Sequence, residues 1–251
     1  FEGNTDTSAL KSSLLTVIIS VLVMLCTAIL GKVIYRHREE RKAKVFRYGL
    51  VNSNALFIGL PIIQSLLGDA GVLQLSMYMI FVRMFCWSYG LSLYTGVKSD
   101  WKGSFKRLLT HPCMIAAALG VAAMVTGIRL PAFLDRTLQY VSSCLMALSM
   151  LLIGVVLSEI KLKEVFRGDV WRFTALRLGV MPGIVFGLCK LCGVPYIVTA
   201  TCTLVSGMPA ASLTAVLAAR YHGDSELGAL LVAVSTILSA VTIPLWFMIL
   251  Q

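Results

Sequence analysis

The sequence predicts an all-α integral membrane fold, a bundle of apolar spans built as an inverted repeat around two broken helices. Three observations carry that prediction. Of the 251 residues, 58% are apolar and 14% charged, with a mean hydropathy of +0.85, far more apolar surface than a soluble domain of this length can bury. The apolar residues gather into runs of roughly membrane-spanning length. Two of those runs share one interruption, Gly59-Leu60-Pro61 and Gly207-Met208-Pro209.

In chain order the runs lie at about 13–35, 46–66, 72–96, 112–127, 137–158, 171–191, 194–220 and 227–250, each long enough to cross the hydrocarbon or to cross it with a break. They are numbered first to eighth here. The fourth is short for a span. Between the third and fourth, Trp101 to Leu109 alternates Trp, Lys and Phe as an interfacial segment does.

The positive charges orient the spans. Lys32, Arg36, Arg38, Arg41, Lys42, Lys44 and Arg47 follow the first span; Lys98, Lys102, Lys106 and Arg107 follow the third; Lys161, Lys163, Arg167 and Arg172 follow the fifth; Arg220 follows the seventh. The opposite side holds only Lys11, Arg129, Arg136 and Lys190. By the positive-inside rule the first set is cytoplasmic and both termini are extracytoplasmic, in a multi-pass protein of the cell membrane. The net charge of +10 then records orientation in the lipid bilayer, and no nucleic-acid partner is expected, because a polyanion binder needs its basic face open to water.

Proline lacks an N–H and its ring crowds the carbonyl four residues back, here Phe57 and Val205, so the second and seventh spans are expected to break or kink at Gly59–Pro61 and Gly207–Pro209. Single prolines commonly kink membrane helices. A matched pair of interrupted spans points instead to the binding site of a transporter. The two lie five spans apart, so one runs outward and the other inward, as in an inverted repeat. Residues 1–97 then form the remnant of a first repeat of three spans, and 98–251 a second repeat of five. A five-plus-five architecture has ten spans and needs two more ahead of Phe1.

Several stretches also resemble the auxin efflux carrier family of bacterial permeases. They are Asn52-Ser53-Asn54-Ala55-Leu56-Phe57-Ile58-Gly59-Leu60-Pro61, the Arg83 to Gly90 stretch with Trp87, His111-Pro112, Leu151-Leu152-Ile153-Gly154, and Gly207-Met208-Pro209-Ala210-Ala211 followed by Tyr221-x-Gly223-Asp224. The resemblance covers nearly the whole chain. It implies ten spans in two inverted five-span repeats, a transport domain made by the first to third and sixth to eighth spans, and a scaffold domain through which a homodimer forms. It also implies movement of malate-like or auxin-like carboxylates.

Two arginines fall within spans. A charge at the centre of a bilayer costs at least about 2.5 kcal/mol even on lenient scales. Arg83 therefore needs a partner, and all twelve acidic residues lie in connections or at span ends. Backbone carbonyls at a broken helix, an acid elsewhere, or an anionic substrate gripped through two parallel hydrogen bonds are the candidates. Arg177 lies one to two turns inside the sixth span; it either snorkels to the interface or contacts substrate. Asn52 and Asn54 before Pro61, and Thr201, Thr203 and Ser206 before Pro209, bond either a substrate carboxylate or a neighbouring helix. The candidate substrate-binding set is Arg83, Asn52, Asn54, Arg177, Thr203 and Ser206, with hinges at Gly59, Pro61, Gly207 and Pro209.

His37, His111 and His222 make no metal spacing, the seven cysteines lie almost wholly in apolar runs with only Cys189-x-x-Cys192 close together, and no phosphate-binding glycine pattern occurs. No cofactor, metal or catalytic residue is expected. The chain reads as a gradient-driven secondary transporter of small organic anions. Rival readings are a sodium-coupled symporter of the bile-acid type, disfavoured by the lack of a mid-span acid, and a membrane receptor or sensor, which needs an appended signalling domain.

Overall fold

From Thr7 to Ile34 the chain carries charge only at Lys11 and Lys32, and in hydrocarbon such a segment can satisfy its backbone only by coiling. It forms helix α1, Thr7–Ile34. The computed structural model describes residues 7–95, 115, 119, 131–158 and 167–251. The fourth run, the Trp101–Leu109 stretch and His111-Pro112 lie outside the described residues.

After α1 comes α2, Glu40–Val51, whose first turns are tied by Lys44–Glu40 (2.8 Å) and Lys42–Glu39 (3.2 Å) ion pairs. The chain is then non-helical through Asn52–Asn54, with Asn52 extended, makes one wide π turn at Ala55–Gly59, and enters α3, Leu60–Phe85. A second π turn, Cys86–Gly90, leads into α4, Leu91–Thr95. The helical stretch Ala55–Thr95 counts 41 residues, about 60 Å if straight and twice the thickness of a bilayer core. Gly68 divides it. With φ 62° and ψ −159°, Gly68 occupies a region essentially closed to residues with a Cβ, and the chain turns there from a first into a returning leg.

Helix α5 is Ala132–Ser158. The sixth span is α6 (Gly168–Ala175), a third π turn (Leu176–Val180) and α7 (Met181–Leu191). The seventh is α8, Tyr196–Ser206, and α9, Leu213–Arg220, with a non-helical break between them. Helix α10, Ser225–Leu250, starts where the Asp224 carboxylate accepts from the Leu227 N–H at 2.9 Å, a side-chain N-cap. Among the described residues the only extended pairing is the isolated antiparallel bridge Ser53↔Ala210. The fold is an all-α membrane bundle with two broken spans.

The bridge reveals an internal symmetry, because it sets residue 53 against residue 210, an offset of 157 positions. The same offset carries α1 to 164–191, where α6 and α7 lie; α2 to 197–208, where α8 lies; and residues 69–93 of the returning leg to 226–250, where α10 lies. The related spans run in opposite directions. Tyr35 just past α1 stacks on Phe46 of α2 (4.6 Å between ring centres), and Phe46 packs on Phe173 of α6 (6.0 Å), so α1 ends where α6 begins. Burial raises the Tyr35 phenol to about 12, and it enters this stack as a neutral ring. Nearby, Arg41 donates to the carbonyls of His222 and Gly223 at 3.2 and 3.4 Å. The basic connections after the first and seventh spans thus share one face of the molecule.

Helix α1 packs on α2, α3 and α8, while α8 also packs on α3 and α7, and α10 on α2, α6, α8 and α9. The buried interior lies around the two breaks, with Phe46, Tyr48, Leu50, Val51, Phe173, Leu204 and Met208 closed off. Outward-facing stripes of large apolar residues, such as Leu14, Ile18, Leu22, Ile29 and Val33 on α1, suit a hydrocarbon solvent. Such a solvent gives helices no hydrophobic reason to associate, so polar contacts acquire weight: Thr16 Oγ1 of α1 meets Gln74 Oε1 of α3 at 2.5 Å inside the bundle.

Candidate functional site: the crossing of two broken helices

Each break frees backbone groups that hydrocarbon cannot satisfy, and the two breaks satisfy part of each other. Asn54 N–H donates to the Pro209 carbonyl at 2.8 Å, and Ala211 N–H to the Asn52 carbonyl at 3.1 Å. The Ala210 N–H is taken by the hydroxyl of Ser235 on α10 at 3.1 Å. Two half-helices, α2 and α8, therefore end at the crossing, and two others, the π turn leading into α3 and α9, begin there.

The second break falls where the sequence predicts it, at Gly207–Ser212 around Pro209. The first does not. The second span opens at Asn52–Asn54, whereas Gly59 and Pro61 lie in continuous helical backbone. The π turn explains the difference: Ile58 and Gly59 N–H groups both donate to the Asn54 carbonyl at 3.1 and 3.2 Å, and the widened turn takes up the crowding of Pro61 without opening the helix. Gly59 instead serves contact, since a Cβ there would stand 3.4 Å from the Met208 side chain across the crossing. The sixth span repeats the device at Leu176–Val180 ahead of Pro182, and the Leu178 carbonyl that Pro182 cannot serve accepts from Trp246 Nε1 at 2.8 Å.

Arg177 sits in that third π turn. It lies nine residues, about 13 Å along the helix, from the start of α6, and is 2% exposed, which excludes snorkelling to the interface. Its Nε donates to the Met208 carbonyl at 3.0 Å and its Nη1 to the Leu50 carbonyl. Carbonyl bonding at a broken helix was foreseen for Arg83; Arg177 makes it.

Arg83 lies half-buried in the returning leg, within electrostatic reach of Tyr48 and Cys86. Its guanidinium has no hydrogen bond or ion pair among the described residues. Asn52 Nδ2 donates to the Tyr48 hydroxyl at 3.0 Å. Asn54 is 2% exposed, yet neither its Nδ2 nor its Oδ1 has a partner, and the buried hydroxyls of Thr201, Thr203, Ser212 and Thr214 are likewise unpaired. Ser206 is committed to its own helix through the Thr203 carbonyl at 2.8 Å. No Asp or Glu is buried among the described residues.

The crossing therefore gathers Asn52, Asn54, Thr203 and Arg177 from three spans, with Arg83 a turn away from Cys86. Tyr48, Ser235 and the Pro182–Trp246 pair are absent from the sequence-based set. Pro182 inside an apolar run was a readable signal, whereas Tyr48 and Ser235 carry none before the helices are packed.

The profile of the membrane transport protein family matches residues 2–247. An uncharacterized transporter of Methanocaldococcus jannaschii is 27% identical over 248 residues, covering 94% of this chain and 78% of the relative. One from Methanothermobacter thermautotrophicus is 27% identical over 240 residues, covering 93% and 78%. With its spans, its paired breaks and this match along almost its full length, the chain belongs to the membrane transport protein family, the auxin efflux carrier family that its motifs resemble.

Proposed function

We propose that the protein is a gradient-driven secondary carrier of small organic anions, malate-like or auxin-like carboxylates, which bind at the crossing. The observation that carries this reading is the Asn54 side chain, buried with both polar atoms unpartnered. A buried amide without partners costs on the order of 1–3 kcal/mol, a cost that persists only where something else gains. Asn54 stands at the head of one half-helix, and Ser212 and Thr214, also unpaired, at the head of another. Helix starts carry partial positive charge and free N–H groups suited to a carboxylate. Thr203 adds a hydroxyl, and Arg83, half-buried within electrostatic reach of Tyr48, supplies a charge to grip an anion.

In this reading residues 1–97 and 98–251 are the two inverted repeats. The bundle of first to third and sixth to eighth spans moves against a scaffold through which two copies pair. The basic face is cytoplasmic and both termini are extracytoplasmic. Full-length protein in proteoliposomes is expected to catalyse counterflow of a labelled dicarboxylate. Asn54→Ala should lower that rate at least tenfold while leaving thermal stability equal or higher, because it removes an unsatisfied group. An unchanged rate would exclude Asn54 from the site.

A further inference from the structure

The half-helices α2 and α8 both point their C-terminal ends at the crossing. Each such end carries about half a negative charge, so together they present about one. Two carbonyls at or just beyond those ends are free by construction. Leu50 O would accept from Asn54 N–H in an unbroken helix, but that N–H has gone to Pro209; Met208 O lies in the second break, where the helix has stopped. The Arg177 guanidinium bridges these two carbonyls, and no buried carboxylate is present among the described residues to share the charge. In carriers built from broken helices, unwound carbonyls and half-helix C-terminal ends are where a coupling cation is coordinated. The internal symmetry supplies no second cation: the position related to Arg177 by the 157-residue offset is Ser20, whose hydroxyl donates to its own helix at Val17.

We propose that Arg177 is a tethered counter-cation, a positioning residue that fills the cation site of the crossing covalently and makes the assembly of the two broken helices independent of dissolved sodium or potassium. It closes the negative side of the crossing and leaves the helix starts around Asn54 and Ser212 as the positive side. The inference stands whatever solute is carried, and its test needs no transport.

The test is thermal unfolding of the full-length protein in detergent, in choline chloride against equal concentrations of sodium, potassium or guanidinium chloride in the millimolar range. The wild type is expected to melt at one temperature in all four. Arg177→Ala should melt about 10 °C lower in choline and regain at least half of that in one of the small cations, by mass action on the emptied site. Arg177→Lys should keep most of the stability and respond to none of them. Arg83→Ala serves as the control and should show no cation-specific recovery. The proposal is overturned if Arg177→Ala recovers in no cation, or if Arg177→Met is as stable as the wild type. Should Arg177→Ala yield no folded protein, Arg177→Gln, a neutral donor for one carbonyl, decides the matter: recovery in a small cation upholds the proposal, and its absence overturns it.

Discussion

A guanidinium in the middle of a membrane has to be answered by something of opposite sign, and the bundle answers its two in different ways. Arg177 is held by the carbonyls of Leu50 and Met208; Arg83 keeps its donors uncommitted among the described residues. From sequence Arg83 looked central and Arg177 close enough to the interface to snorkel, because span boundaries drawn from hydropathy put Arg177 nearer the interface than it is. The sixth span begins at Gly168 rather than 171, and those three residues carry the side chain about 4.5 Å deeper, beyond a useful snorkel. At the same scale, Trp246 is the donor that covers the carbonyl bared by Pro182. Trp246→Phe keeps the ring packing and leaves Leu178 unsatisfied, which should lower stability by roughly 1–3 kcal/mol in a denaturation titration. A loss below a few tenths would mean that another donor covers Leu178.

Among the elements, the second span shows how a proline can be present without being the break. Pro61 follows the π turn Ala55–Gly59 and Pro182 follows the π turn Leu176–Val180; in both places the helix widens ahead of the ring and continues. The actual opening at Asn52–Asn54 is made worthwhile by its partner, since the hydrogen bonds lost along the helix are replaced across the bridge to Ala210. Such a gain is a tertiary one. It has no local signature, which is why Gly-x-Pro located the second opening and misplaced the first by several residues. Gly68, by contrast, falls in the Gly68-Asp69-Ala70-Gly71 connection that hydropathy leaves between the second and third runs, and its φ is 62°. Gly68→Ala should cost about 1–3 kcal/mol through backbone strain alone, since open space surrounds the site. A melting temperature equal to that of the wild type would contradict that.

At the scale of the whole molecule, composition and periodicity were enough for the class of fold and most span positions, because a bilayer imposes one length and one polarity on each crossing. The opposed directions of the two broken spans were legible too, from the odd number of spans between the two interruptions, and the bridge that joins them is antiparallel. Side-chain pairing at the crossing was not legible, since it depends on which faces meet. The positive-inside orientation leads to a direct expectation. In a cysteine-free background, Lys190→Cys should react with an impermeant maleimide added to right-side-out vesicles and His37→Cys should not; the reverse pattern would invert the assigned topology. The central claim is that an organic anion crosses at the meeting point of the two broken helices, drawn by Arg83 and Asn54. Counterflow of a labelled dicarboxylate into proteoliposomes of the full-length protein tests it most directly. The account predicts robust exchange in the wild type, abolished by Arg83→Ala with the fold intact; undiminished exchange in Arg83→Ala, or no exchange of any carboxylate by the wild type, would contradict it.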